Sequence, residues 1–186
     1  MTIGFAMCGS FCTFSQVFPI MQSLADEHRV IPIFSKSVQE TDCRFGKADE
    51  FWQIAKQATG LDPLSTIGQV EPIGPKKLLD ALIIAPCTGN TLAKLAHGIA
   101  DGPVTLAAKS HLRNGRPVIV AVSTNDALAA AGENIGRLLS RRNYFFVPFR
   151  QDDPKEKPTS MVADFTKIPE TLAEALSGRQ IQPILL

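Results

Sequence analysis

The chain has 186 residues, with 19 Lys+Arg against 18 Asp+Glu, a formal net charge of +1 and 45% apolar residues. That length and composition point to one domain with a proper core and exclude a disordered chain. The balanced charge argues against a nucleic-acid binder that works by phosphate neutralisation, because no basic excess exists. No run of 18 apolar residues occurs, so no membrane-spanning helix is expected. The start, Met1-Thr2-Ile3-Gly4-Phe5, lacks the basic and apolar regions of a signal peptide. A cytoplasmic protein is the expectation.

Apolar runs alternate with helix-period segments, the pattern of a mainly parallel sheet covered by helices. The first strand is predicted over Thr2 to Met7, ending at Cys8-Gly9-Ser10. Phe11, Phe14, Phe18, Met21 and Leu24 then recur at helical spacing. Pro19 predicts a kink or interruption in that helix. The second strand is Val30 to Phe34, and a helix follows over Lys47 to Ala58, stopped at Gly60. Residues 61–76 hold three prolines and two glycines and read as an irregular loop. The third strand, Ala81 to Ala85, is continuously apolar and therefore buried on both faces. A helix begins around Leu92 and breaks at Asp101-Gly102-Pro103, and another runs to about Leu112. Strand four is Pro117 to Val122, and Ser123-Thr124-Asn125-Asp126 reads as a helix start. That helix ends near Arg142, a fifth strand spans Tyr144 to Val147, and a last helix spans Pro169 to Leu176. The segment Gln151 to Pro158 reads as a mobile charged surface loop. No linker divides the chain, so residues 1–186 are expected to form one domain.

In such sheets ligands bind beyond the carboxyl ends of the strands. The segments after strands one to four carry Gly9 and Ser10; Ser35, Lys36 and Ser37; Thr88, Gly89, Asn90 and Thr91; and Ser123, Thr124, Asn125 and Asp126. Each reads as preceding a helix. Backbone N–H groups, helix N-termini and short hydroxyls around one space hold a phosphate without many cations. The same residue types are also preferred helix caps. The dinucleotide fingerprint G-x-G-x-x-G is absent, and Ser10-Phe11 stands where the Walker pattern needs Lys-Ser/Thr. A mononucleotide flavin, FMN, suits these loops better. Cys8, Cys12, Cys43 and Cys87 lack metal-site spacing, and no metal is expected. Cys8 and Cys87 fall in the suspected site loops, where buried inert thiols are the favoured reading.

The string Ala85-Pro86-Cys87-Thr88-Gly89-Asn90-Thr91-Leu92-Ala93-Lys94-Leu95-Ala96-His97-Gly98-Ile99-Ala100-Asp101 resembles the signature of the flavoprotein superfamily that includes the homo-oligomeric flavin-containing cysteine decarboxylases. Met7-Cys8-Gly9-Ser10 is similar to their first turn. Further strings, Thr41 to Gly46, Glu71 to Lys76, Arg113 to Val118, Ala121 to Leu128, Tyr144 to Phe149 and Lys157 to Ala163, resemble the family of dipicolinate synthase B subunits. The resemblance covers nearly the whole chain. It implies a three-layer Rossmann-like or flavodoxin-like flavoprotein fold and a homo-oligomer. It also implies a partner A subunit carrying the dinucleotide-binding fold, and a part in oxidising dihydrodipicolinate to dipicolinate in the mother cell of a sporulating bacterium.

On that reading FMN lies across Gly9, Ser10, Ser35, Ser37, Thr88, Asn90 and Thr91, with Ser123 and Asn125 near its ring. Arg44, Lys76 and Arg113 are the basic candidates to clamp a dianionic substrate. The catalytic residues are left open. The decarboxylases carry a catalytic His before strand three, and this chain has none between Gly60 and Asp80. Of their motif after strand four only Asn125 is kept. A non-catalytic assembly subunit and a flavin-dependent decarboxylase are the alternatives. Phe11 and Phe14 are candidate subunit contacts if uncovered, and core residues if not. The Asp152 to Ser160 stretch resembles the place of a substrate-covering flap.

Overall fold

β3 (Ala81–Cys87) is buried at every residue. It can be, because it lies between β1 (Thr2–Met7) and β4 (Val118–Thr124) with parallel pairing on both sides. A strand covered on both faces has no use for alternation, which explains its unbroken apolar sequence. The computed structural model describes residues 1–186. Around β3 the parallel sheet runs β2-β1-β3-β4, where β2 is Arg29–Phe34, and β5 (Tyr144–Phe146) pairs parallel with the first half of β4. The second half of β4 does something else. Ser123 and Thr124 pair antiparallel with β7 (Met161–Ala163), which pairs with β6 (Phe149–Gln151). The expected mainly parallel α/β sheet is therefore present, with an antiparallel hairpin attached at one corner.

The helices follow the strands. α1 (Phe14–Glu27) follows a short 3₁₀ turn at Phe11–Thr13. α2 (Lys36–Glu40), α3 (Ala48–Thr59) and α4 (Ile67–Val70) lie between β2 and β3. α5 (Gly89–His97) and α6 (Pro103–Leu112) link β3 to β4. α7 (Gly132–Leu139) links β4 to β5, and α8 (Ile168–Leu176) closes the chain. Right-handed crossovers put helices on both faces of the sheet. One continuous cluster of 50 buried residues connects them.

Several expectations change. Pro19 lies inside α1 without interrupting it. Its side of the helix faces solvent, so the Ser15 carbonyl left without an N–H partner can be hydrated. Residues 61–76 are irregular but include α4 and a 3₁₀ turn at Glu71–Ile73. Ser123 to Asp126 does not start a helix. β4 continues to Thr124, a run of turns occupies 125–131, and α7 begins only at Gly132. Pairing with β7 extends the strand through Ser123 and Thr124, the first two of the residues whose side chains suggest a cap. Phe14 is buried and Phe11 half-buried, in an aromatic cluster with Phe18 and Phe51. α3 thus covers the two rings within one chain.

His111 of α6 is fully buried. Its Nε2 lies 3.1 Å from the Pro117 carbonyl oxygen, and Nδ1 has no partner. Burial pushes its pKa down to about 4, against a small upward pull from the Pro117 carbonyl. A depressed histidine is neutral in the fold and binds protons more readily when unfolded. Its stabilisation is complete above the ordinary pKa of 6.5 and is lost as pH falls toward 4. Lowering pH from 7.5 to 4.5 should cost about 2–3 kcal/mol through this group alone. Urea unfolding at the two pH values should show that loss in the native chain and not in His111→Gln. Equal pH slopes in the two proteins would refute the assignment.

Candidate functional site

The carboxyl ends of β1, β2, β3 and β4 open on two adjoining recesses. The larger has a volume of about 500 Å³, and its lining includes Gly9, Ser10, Thr88, Ser123 and Asn125. The smaller, about 200 Å³, is lined by Ser35, Ser37, Asn90 and Thr91 among others. All nine loop residues expected at a flavin are thus at this edge, divided between two compartments. The compartments meet along two lines. A Cβ built on Gly9 would lie 3.2 Å from Cβ of Ser37, so these loops touch. The Thr88 and Thr91 hydroxyls, one lining each compartment, are 3.2 Å apart.

The smaller recess is polar. Ser35 caps α2, its hydroxyl accepting from Val38 N–H at 3.5 Å. Thr88 caps α5 through Thr91 N–H at 3.4 Å. The first amides of a helix have no intrahelical acceptor. With Thr91 capped, the amide of Asn90, a lining residue, remains without an intrahelical acceptor at the recess. Gly102, before the start of α6, Lys36, Lys94 and Asp101 also line it, with Lys94 Nζ 2.8 Å from Asp101. Hydroxyls, a dipolar helix end and two ammonium groups form a donor set that fits a phosphate.

The larger recess has a different character. The Ser10 and Ser123 hydroxyls are 2.7 Å apart and tie the end of β1 to the end of β4. Phe11 and Phe45 present ring surface, and Arg44 lies 4.8 Å from the Phe45 ring centroid. The far wall comes from the connection between β6 and β7. There Lys157 Nζ is 3.4 Å from Asp152, and both line the recess. Ser160 Oγ donates to Asn125 Oδ1 at 3.2 Å, and Thr159 Oγ1 donates to the Asn125 carbonyl at 2.6 Å. The segment expected to be a surface loop, Gln151 to Pro158, is mostly exposed, and the two residues that follow it tie it to the strand-four end. Asp152 is pulled upward by burial, but bonds from Ser160, its own backbone and Lys157 prevail and hold it below the usual carboxylate value. It is ionised.

Cys8 and Cys87 are buried thiols. Burial raises Cys8 to about 11, despite a 3.2 Å hydrogen bond from Thr91 Oγ1, and raises Cys87 as well. Neither is a thiolate nucleophile. Cys12, for which the sequence carries no functional motif, lines the large recess and is exposed. No three His, Cys, Asp or Glu side chains converge as a metal site would require.

Of the three basic candidates only Arg44 belongs here. Lys76 precedes β3, and Arg113 follows α6 and packs on Gly74. Both are at the amino ends of the strands, about 20 Å away along a seven-residue strand. α6 runs antiparallel to the strands and carries Arg113 away from the recesses. Lys157 is the second cation of the large recess instead.

With this geometry in view, comparison with known proteins is decisive. The Flavoprotein family profile matches residues 1–175. The chain belongs to the Flavoprotein family. It is 46% identical over 185 residues to the dipicolinate synthase B subunit of Bacillus subtilis (strain 168), covering 99% of this chain and 92% of that one. The crystal structure of the dipicolinate synthase B subunit from Bacillus halodurans C superposes with a TM-score of 0.91 at 44% identity, over 100% of this chain and 95% of that one. Burkholderia xenovorans DmrB, solved in complex with FMN, gives a TM-score of 0.70 at 18% identity, over 95% of each chain, and shows the shared fold alone. This flavoprotein is thus a relative of the B subunits.

The Ser10–Ser123 bond is the direct tie between the first and fourth strand ends. Alanine at either position should lower stability by about 1 kcal/mol, because the remaining hydroxyl is left unpaired. The double variant should cost less than the sum of the two, as contacting partners do. A urea-unfolding double-mutant cycle measures this. Strict additivity would show that the two hydroxyls do not interact.

Proposed function

We propose that this chain is the FMN-binding B subunit of a dipicolinate synthase and acts with an A subunit in oxidising dihydrodipicolinate to dipicolinate. The observation that carries this reading is the pair of abutting compartments. One has the donors and size for a single phosphate. The other has room for a planar ring and holds two cations, Arg44 and Lys157, on opposite walls.

Ser35, Ser37, Asn90 and Thr91, with the start of α5, would hold the phosphate. Gly9, Ser10, Thr88, Ser123 and Asn125 would flank the rest of the cofactor. Bound FMN would supply a two-electron acceptor for the aromatisation. The residues of this chain bind and orient. The substrate bears two carboxylates, and Arg44 and Lys157 provide a charge-assisted partner for each. Lys157 is engaged by Asp152 in the free protein, so substrate competes with an internal carboxylate. The flap from Asp152 to Ser160, latched on Asn125, limits the access of water to the recess.

A second reading draws on one feature. No histidine lines the larger recess, and its one lining carboxylate, Asp152, is ionised. Neither an imidazole nor a neutral carboxyl is there to donate a proton. That favours a supporting role in which the A subunit performs the proton chemistry. Assay of the A subunit alone and with this chain separates the readings. Full activity of A alone assigns this chain to assembly.

Titration of the purified chain with FMN should perturb the flavin absorption bands saturably. Absence of uptake would overturn cofactor binding. In the reconstituted synthase, Arg44→Ala and Lys157→Ala should each raise KM about tenfold, equal to about 1.4 kcal/mol, with a smaller change in kcat. Asp152→Asn should leave KM unchanged or lower it, because it frees Lys157. A raised KM in Asp152→Asn would contradict the competition described.

A further inference from the structure

A third cavity, about 360 Å³, lies at the opposite edge of the sheet, between the end of α5, the outer face of α6 and the segment entering β5. Its walls are apolar, from Leu95, Ile99 and Leu112. Its rim is cationic. Lys109, in the last turn of α6, and Arg113, just beyond its end, stand about one turn apart, and Arg141 and Arg142 line the cavity from the segment before β5. No carboxylate lines the cavity. Lys109, Arg113 and Arg142 take part in none of the ion pairs of this protein. In a chain with a net charge of +1, a cation cluster without acids is a local choice, not a consequence of composition.

Arg141 has a structural task. Its guanidinium donates to the Leu95 carbonyl at 3.2 Å and to the Ala96 carbonyl at 2.6 Å, capping the end of α5. This fixes one wall of the cavity. Tyr144 lies at the base. It is 9% exposed, and its hydroxyl donates to nothing within the chain. Burial pushes its pKa up to about 12, so the hydroxyl stays protonated and remains a donor. The ring is buried, while the hydroxyl opens on the cavity and is free to donate to a ligand. Asn143 beside it is held at φ 65°, a left-handed conformation that Asn tolerates.

We infer that this cavity is a second ligand site, for a compact planar anion with a ring body and at least one carboxylate. The ring would meet the Leu95, Ile99 and Leu112 walls. The carboxylate would meet Lys109 and Arg142 at the rim, and an acceptor atom would satisfy the Tyr144 hydroxyl. The volume lies within the range of small-molecule sites. The combination of apolar walls, cations and one neutral donor selects against a bare inorganic ion. Only Thr105 is shared with the recesses at the other edge, and it holds neither the phosphate nor the substrate there, so this site stands apart from their proposed function. Arg113 also gains a place here that substrate clamping does not give it.

The test is amide chemical-shift mapping of the full chain titrated with benzene-1,3-dicarboxylate. Glutarate supplies two carboxylates without a ring, and inorganic phosphate supplies charge alone. The ring dicarboxylate should shift the Ile99, Asn143 and Tyr144 amides saturably, and the other two should bind at least about tenfold more weakly. The double variant Lys109→Glu, Arg142→Glu should weaken binding at least about tenfold, and Tyr144→Phe severalfold. Both charged positions are exposed, and the neutral pair Lys109→Gln, Arg142→Gln gives the same comparison if charge reversal disturbs folding. Arg44→Ala should leave these shifts intact. Shifts absent from these amides, shifts surviving removal of the two cations, or equal binding of inorganic phosphate would each overturn the inference. So would poly-glutamate binding as tightly as the ring dicarboxylate, which would assign the face to an acidic protein segment.

Discussion

The candidate site depends on the fact that β4, beyond its pairing with β3, serves two more partners. Its first half pairs with β5, as a parallel sheet requires, and its last two residues pair with β7. The second pairing carries Ser123 and Thr124 past the end of the parallel sheet. Ser123 can then reach Ser10 at the end of β1. It also anchors the β6–β7 hairpin, whose connection forms the far wall of the larger recess. Without that short antiparallel pairing the recess has no wall opposite Phe11, and Lys157 has no fixed position. The Asn125 bonds to Thr159 and Ser160 reinforce the pairing one residue further on.

The polarity of the fold then divides the work. Helices that follow parallel strands begin at the carboxyl edge of the sheet and end at the other. α5 shows both ends. Its start, capped by Thr88, faces the small polar recess, where a positive helix end favours an anion. Its end is capped by Arg141, as suits carbonyl groups with no further partner. Near-neutral composition is compatible with anion binding at the first edge because hydroxyls and amides supply most of the donors.

The continuous strands were readable from composition because full burial removes polar residues from them. β1, β3 and most of β4 fall within a residue or two of expectation. The four strand-end loops were also legible, since hydroxyl and amide side chains before helices serve capping and anion binding alike. What the residues could not reveal was long-range pairing. Ser123-Thr124-Asn125-Asp126 has the chemistry of a helix start, and only β7, some 40 residues later, makes its first half a strand. β6 and β7 have three residues each, too few to carry an alternation pattern. Lys157 was hidden for the same reason, inside a charged stretch with the composition of any surface loop.

Lys76 and Arg113 illustrate a separate limit. Residue type marks a cation able to bind a carboxylate but does not say at which edge of the sheet it stands. Direction along the chain does. A cation between a strand and the long helix that crosses back over the sheet, or inside the hairpin attached to β4, is at the carboxyl edge. One that follows a crossover helix or precedes a strand is at the amino edge. By that rule Arg44, after β2 and α2, and Lys157, in the hairpin, group together, and Lys76 and Arg113 fall on the other side. Spacing and resemblance identified the chemistry of the residues, whereas the antiparallel course of helix over strand determined which of them could meet.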